Sequence, residues 1–318
     1  MGSFFRRGKN KKSGWLAIGF QPDGVCAAYA RRVTDRKPVI EWLSFYPAAR
    51  EARPKVLARL EKEHGTSGSQ RSNLLSFTDY QMLSLEAPAV PAVELKQAVR
   101  WRLKDMLDYH IDDATIDVLS VPADRSMAAR SSTMFAVAAR SQLIGQLHDL
   151  FDKAGMAVRV IDIPDMAQRN ISALVEPNGR AIAMLSVNVD GALVTLTSGG
   201  ELYFSRRIDV TAAQLKQSDH DATLACYDKI SLELQRSLDH FDRQFHYLQM
   251  SKLVLAPMGD GAEALKAYLA ENLHIPVEVL DLESVLDLSR IPELKNRANQ
   301  QRHFMVIGAA LRLEEAAL

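Results

Sequence analysis

Apolar runs separated by turn residues open the chain. Trp15 to Phe20 (WLAIGF) has the continuous hydrophobicity of a buried strand, Gln21 to Gly24 (QPDG) is a tight turn, and Val25 to Val33 returns as a second strand. A third strand is predicted over Val39 to Tyr46 after the Arg36-Lys37-Pro38 turn, then a helix over Ala49 to His64, the loop GTSGSQ and a strand over Asn73 to Thr78. Between Val93 and Leu107 the residues Leu95, Val99, Leu103, Met106 and Leu107 recur at helical spacing, with Arg100, Arg102, Lys104 and Asp105 among them. Strands over Thr115 to Val121 and Thr133 to Ala138, a helix over Ser141 to Ala154 stopped by Gly155, and a strand over Val158 to Ile163 follow. Helix, strand, strand, helix, strand is the pattern of a small α+β subdomain inserted into a strand-led lobe.

Pro164 opens a helix that runs from Asp165 to Leu174, at a first-turn position where its missing N–H does no harm. After the Pro177-Asn178-Gly179 turn, strands are predicted over Ala181 to Val187, Ala192 to Thr197 and Glu201 to Ile208. The three-strand opening thus occurs twice, which points to an internal structural repeat. A helix over Ala222 to Gln249 carries the stripe Ile230, Leu234, Leu238, Phe241, Phe245 and Leu248, expected to lie against a sheet. The strand Leu253 to Ala256, the loop PMGDG, the helix Ala262 to Asn272 and the strand Val277 to Leu280 form a β-α-β finish, and a last helix covers Arg302 to Leu313. The expected division is an arm at 1–14, a first-lobe core at 15–92, the inserted subdomain at 93–163 and a second lobe at 164–318. The helices of 164–178 and 300–318 are expected at the lobe junction.

Composition narrows the function classes. With 318 residues and 47% hydrophobic content the chain can bury two cores, and its 39 basic and 39 acidic residues give no overall reason to expect nucleic acid as a partner. The charge is uneven only at the start, where Arg6, Arg7, Lys9, Lys11 and Lys12 follow Phe4 and Phe5 without an acid. Such an arm is either a solvated terminus or a weak contact to anionic lipid. No apolar run approaches the ~20 residues of a membrane span, so a cytoplasmic protein is expected, held at the inner membrane by a partner. Cys26 and Cys226 stand alone without a CxxC or a Cys/His cluster, the 8 histidines show no HExxH spacing, and GxSxG is absent. Neither a catalytic constellation nor a metal site is expected.

The ordered local sequences carry a resemblance. LKQAVRWRLKDMLDYHIDDATIDV (Leu95 to Val118), FAVAARSQLIGQLHDLFDKAGMAVRVIDIPDMAQRNI (Phe135 to Ile171), LTSGGELYFSRRIDV, ISLELQRSLDHFDRQF and HFMVIGAALRL are similar, in this order, to segments of the PilM family of type IV pilus assembly proteins. The short basic start and eroded motifs resemble its members in mannose-sensitive haemagglutinin (MSHA) pilus systems. The resemblance implies an α/β, two-lobed fold of the actin/Hsp70/FtsA type.

In such folds two strand-turn-strand hairpins grip phosphates through backbone N–H groups, and a glycine-rich turn packs on adenosine. Here IGFQPDGVCAA stands where the family resembles IDIGSSSVKVV, so Gly19 replaces an Asp, Gln21 a Gly, Pro22 and Asp23 two hydroxyls, and Cys26 a Lys. Pro22 has no N–H to donate. A carboxylate at Asp23 about 4 Å from phosphate would cost about 4 kcal/mol at an effective dielectric near 20. In the second hairpin, LSVNVDGALVTL puts Ser186 at an Asp and Asn188 at a Gly, while a two-residue slide makes Asp190-Gly191 the acidic-glycine pair. The third turn keeps Gly259 and Gly261 behind Pro257 and Met258. The vestigial cleft is therefore Gly19, Gln21, Asp23, Ser186, Asn188, Asp190, Gly259 and Gly261.

The implied function is a cytoplasmic scaffold of a pilus assembly platform, a pseudo-ATPase that binds the cytoplasmic tail of a bitopic inner-membrane protein. No cofactor is expected, ATP with Mg being the one left open. The tail groove would lie between the first-lobe core and the inserted subdomain, bordered by the helix containing Trp101 and the strands around Leu75 and Ile116. Alternatives are a nucleotide-switched ATPase of the same machinery, or the cytoplasmic domain of a type II secretion platform, whose usual transmembrane extension is not expected here.

Overall fold

β1 (Trp15–Gln21) and β2 (Gly24–Arg31) are apolar on both faces because their sheet is covered on both sides, and they pair antiparallel across the two-residue turn Pro22-Asp23. The computed structural model describes residues 14–65, 69–122 and 133–313, so the basic arm lies outside the described residues. β3 (Val39–Pro47) extends the sheet beside β2, and a 3-10 turn at Arg50–Ala52 leads into α1 (Arg53–His64), which ends at Gly65 in the left-handed region (φ 53°). β4 (Gln70–Leu74) then pairs parallel with β1.

β5 (Tyr80–Glu86), α2 (Ala92–Leu103), β6 (Ala114–Ser120) and β7 (Thr133–Arg140) build a separate antiparallel sheet in the order β5-β7-β6. α3 (Ser141–Lys153) crosses back to the first lobe, and β8 (Val160–Asp162) pairs parallel with β4. The first sheet reads β3-β2-β1-β4-β8.

α4 (Pro164–Ser172) passes into the second lobe, where β9 (Ala181–Asn188), β10 (Gly191–Ser198), β11 (Glu201–Ile208), a single turn α5 (Ala212–Leu215), α6 (His220–Gln244), β12 (Met250–Leu255), α7 (Ala262–Asn272) and β13 (Val277–Val279) follow. Its sheet reads β11-β10-β9-β12-β13, the same order as the first, so the repeat extends to five strands. α8 (Arg297–Ala310) returns to the lobe junction.

Several boundaries differ from expectation, each for a physical reason. The strand expected over Asn73 to Thr78 sits at Gln70–Leu74, because its polar residues are paired: Arg71 with Glu61 at 3.1 Å, and Asn73 Nδ2 donating to Ile18 O at 3.0 Å. β5 was not expected, and it brings Tyr80–Glu86 into the inserted sheet, while β8 rejoins the first one. The insertion therefore begins before 93 and ends before 163. α6 stops at Gln244, short of Leu248, with buried Phe245 as its C-cap. α8 starts at Arg297 rather than Arg302, because Asn296 Oδ1 accepts from the amides of Ala298 and Asn299.

α4 and α8 cross between the lobes, α8 against β1, β2 and β4 and α4 against β9, β10 and β11. Every residue of α4 is buried, including Asp165, Gln168, Arg169 and Asn170. Gln168 Nε2 donates to the carbonyls of Met184 and Leu193 and to Thr195, and Asn170 Nδ2 donates to Gly308 O at 3.0 Å. Asp165 accepts from Tyr80 and Ser205, tying the inserted sheet to the second lobe. Beyond the crossing, Arg312 pairs with buried Asp162 at 2.9 Å, although burial still holds that carboxyl above the usual range.

A Cβ at Gly308 would fall inside the van der Waals radius of the Ala167 carbonyl. Gly308→Ala is expected to push the helices apart and lower unfolding stability by about 1–3 kcal/mol or more. Chemical denaturation would register this as a lower midpoint.

Candidate functional site

The two-residue turns of the repeated hairpins face one cleft. QPDG closes β1–β2 with Gln21 opposite Gly24, and NVDG closes β9–β10 with Asn188 opposite Gly191 (φ 133°), so Asp23 and Asp190 occupy equivalent turn positions. The cleft is a cavity of about 350 Å³, lined by Gly19, Gln21, Asp23, Leu74, Leu75, Asn188, Asp190, Lys216, Gln301 and Arg302 among others.

α8 furnishes polar groups to both sides of it. Arg302 Nη1 pairs with Asp23 Oδ2 at 2.7 Å, and the Arg302 carbonyl accepts from Gln21 Nε2 at 3.0 Å. Its neighbour Gln301 reaches the other lobe, where Nε2 donates to Val187 O at 2.9 Å and Oε1 accepts from the Gly259 amide at 3.2 Å. Two adjacent side chains therefore bridge the hairpin of one lobe to the sheet and third turn of the other.

Of the residues singled out in the sequence, Gly19, Gln21, Asp23, Asn188 and Asp190 share this cleft. Gly259 touches it through Gln301. Gly261 does not line it; it precedes α7 with φ 97°. Ser186 is turned inward, its Oγ donating to Gln168 Oε1 at 2.6 Å. Cys26 is buried under α8, and desolvation pushes its thiol up to about 12, which keeps it neutral; unlike a Lys it carries no positive charge toward phosphate.

Mg-ATP, the group such a fold implies, is poorly matched by these residues. Pro22 lacks a donor, Asp23 is taken by Arg302, and Ser186 is committed to Gln168. Asp190 is held above the usual carboxylate range by burial, with Asp79 adding to the effect. Gly19 cannot regain a side chain without displacing Val306, whose Cγ1 would lie 2.9 Å from a Cβ there. Arg302 and Lys216 are the cations present, and the first is already paired.

Two lobes with identical five-strand order, a shared cleft and crossing junction helices define the actin-like ATPase fold. Sequence comparison matches the chain to no protein family and to no curated protein. Structural comparison aligns 94% of it with 98% of a chain in a PilM-PilN type IV pilus biogenesis complex, at TM-score 0.75 and 18% identity. A Bacteroides thetaiotaomicron protein with an actin-like ATPase fold aligns over 90% of this chain and 96% of its own, at TM-score 0.51 and 8% identity. The cytoplasmic domain of EpsL, an inner-membrane component of the Vibrio cholerae type II secretion system, gives TM-score 0.43 at 15% identity over 64% of this chain and 72% of its own, too distant to bear on kinship. The chain thus has the fold of PilM.

A second cavity, about 390 Å³, opens between the start of α1 and the face of α3, beside β1 and β4. Phe20, Pro54, Leu143, Leu147 and Leu150 give it apolar walls, and Arg50, Glu51, Arg53, Asn73 and Asp79 give it polar groups. The groove expected at Leu75, Trp101 and Ile116 is not formed by those residues. Leu75 lines the cleft between the hairpins, and Ile116 packs with Val99 and Leu103 beneath α2. Trp101 lies on the opposite face of α2, where it is 72% exposed. Gln301 fell just outside the expected last helix and Arg302 at its first residue, so neither was linked to the cleft; Asn296, an N-cap residue, was the available signal for the earlier start. No comparable signal marked Arg53 or Leu143, whose meeting is tertiary.

Gln301→Ala is expected to lower stability by about 1–3 kcal/mol, since it orphans the buried Val187 carbonyl. Asp23→Ala should cost less than about 1 kcal/mol, because its ion pair is exposed. Equilibrium urea unfolding of both variants checks the contrast.

Proposed function

We propose that this chain is a cytoplasmic, actin-like scaffold of a type IV pilus assembly platform. It docks the cytoplasmic tail of a bitopic inner-membrane protein and does not hydrolyse ATP. The observation that carries the reading is the near-complete overlap with a chain of the PilM-PilN complex, together with a phosphate cleft bridged by the protein's own Gln301 and Arg302. Among the described residues no helix is long and apolar enough to cross a membrane, which agrees with attachment through a partner. The hairpin sequences and short basic start favour an MSHA-type system, with a role like that of MshI.

The groove between α1 and α3 supports the docking half of the proposal, because it joins apolar walls to polar groups at the boundary between the first-lobe core and the inserted sheet. Nothing in the cleft calls for a nucleotide to hold the lobes together.

Mg-ATP titrated to millimolar concentration is expected to leave the thermal unfolding midpoint unchanged, whereas a ligand at a hundred times its Kd would add about 2.7 kcal/mol. A clear stabilisation by micromolar ATP would overturn the pseudo-ATPase reading. For docking, immobilised cytoplasmic tails of bitopic inner-membrane pilus-assembly proteins from the same cell are expected to retain it in a pull-down. Retention by none of them would remove the scaffold reading.

A further inference from the structure

A third groove, of about 300 Å³, lies on the outer layer of the second lobe, between α6 and the turn that joins α7 to β13. Gln235, Leu238, Asp239, Asp242, Met250 and Ile275 are among the residues that line it. Leu238, Met250 and Ile275 are partly buried and pack on the second-lobe core, so its floor is apolar. Asp239 and Asp242 are exposed, one turn apart on α6, and neither side chain has an ion pair or hydrogen bond among the described residues. His274 is the other titratable group on the lining, which includes no Lys or Arg.

These features limit the ligand. Two carboxylates on one rim disfavour a polyanion. They are also too few to cage a metal ion, and no group of three metal-binding side chains is present among the described residues. An exposed ion pair contributes little by itself, whereas an apolar floor stabilises the apolar side chains that cover it. The groove therefore fits a segment that sets aromatic or aliphatic side chains beside cations.

The chain's own first residues have that sequence. Phe4 and Phe5 stand next to Arg6 and Arg7, with Lys9, Lys11 and Lys12 behind them, and the first acid is Asp23. Which copy's groove an arm can enter follows from the layers of the second lobe. Ala183, Leu185, Leu253 and Leu255 cluster with side chains of α6 and α7, while Ile182, Met184 and Val254 cluster with those of α4 and α8. The groove is thus across the sheet from the lobe junction, whereas Gly14, which leads from the arm into β1, is bonded to β4 of the first lobe. To enter its own groove an arm would have to pass around the second-lobe sheet. The groove of another copy presents no such obstacle.

We infer that residues 4–12 of one copy dock in the groove between α6 and α7 of a second copy. Phe4 and Phe5 cover Leu238, Met250 and Ile275, and Arg6 and Arg7 meet Asp239 and Asp242. Arm and groove are different surfaces, so the contact is heterologous: two joined copies still present one open arm and one open groove, and association continues unless a ring closes. The contact is independent of tail docking.

Sedimentation velocity of the full chain over a range of concentrations tests this, and the weight-average sedimentation coefficient is expected to rise with concentration. Asp239→Lys with Asp242→Lys should leave a monomer, as should Arg6→Glu with Arg7→Glu. Phe4→Ser with Phe5→Ser should weaken association about tenfold or more. Mixing the groove-reversed chain with the arm-reversed chain should restore association, since each then meets its complement only in the other. Thermal unfolding at the unmodified midpoint confirms that each variant is folded. A chain that stays monomeric at every concentration, association that survives either charge reversal, or a mixture that stays monomeric overturns the inference and leaves the docking role standing.

Discussion

The crossing of α4 and α8 is the contact on which the rest of the structure depends. Gly308 lets the helix backbones meet at Ala167, closer than any side chain would permit, and Asn170 spans the gap to the Gly308 carbonyl. α4 is buried on all sides, yet it carries an acid, two amides and a guanidinium. Such a helix is tolerable only because its polar groups find partners in the second lobe's sheet, in β5 and in α8. The satisfied network gives the junction directional bonds where an apolar interface would allow the lobes to slide.

The same crossing decides the state of the cleft. α8 approaches with its first turns over the hairpin tips, so Gln301 and Arg302 bond across the cleft to the sheet and third turn of one lobe and the hairpin of the other. Gln301 matters more than its charged neighbour. Its bonds reach a buried carbonyl and a backbone amide, whereas the Arg302–Asp23 pair is exposed and screened. Bridging by side chains is permanent, and bridging by a nucleotide is switchable. The proposed scaffold role follows from that difference.

The two cavities stand in opposite conditions. In the cleft, the hairpin carboxylate Asp23 and the inward Ser186 are paired within the chain. In the groove beside α3, the buried Arg53 Nε and Asn73 Oδ1 lack a partner.

The sequence by itself determined the strand meanders and the internal repeat, because each rests on local chemistry: apolar runs and turn residues. Gly19, Gln21, Asp23, Asn188 and Asp190 line one cavity, and the hairpins that carry them are short-range structures. Strand β5 escaped notice because its burial alternates only against β7, a partner about fifty residues away. Ser186 and Gly261 kept the right neighbours in sequence but point elsewhere, the first drawn inward by Gln168. The tail groove was placed on Leu75, Trp101 and Ile116, which belong to three different environments. Only tertiary structure decided that Arg53 and Asn73 would face Leu143 across one cavity. Their relation is set by α3 crossing back from the inserted sheet, and packing over that distance leaves no periodicity along the chain.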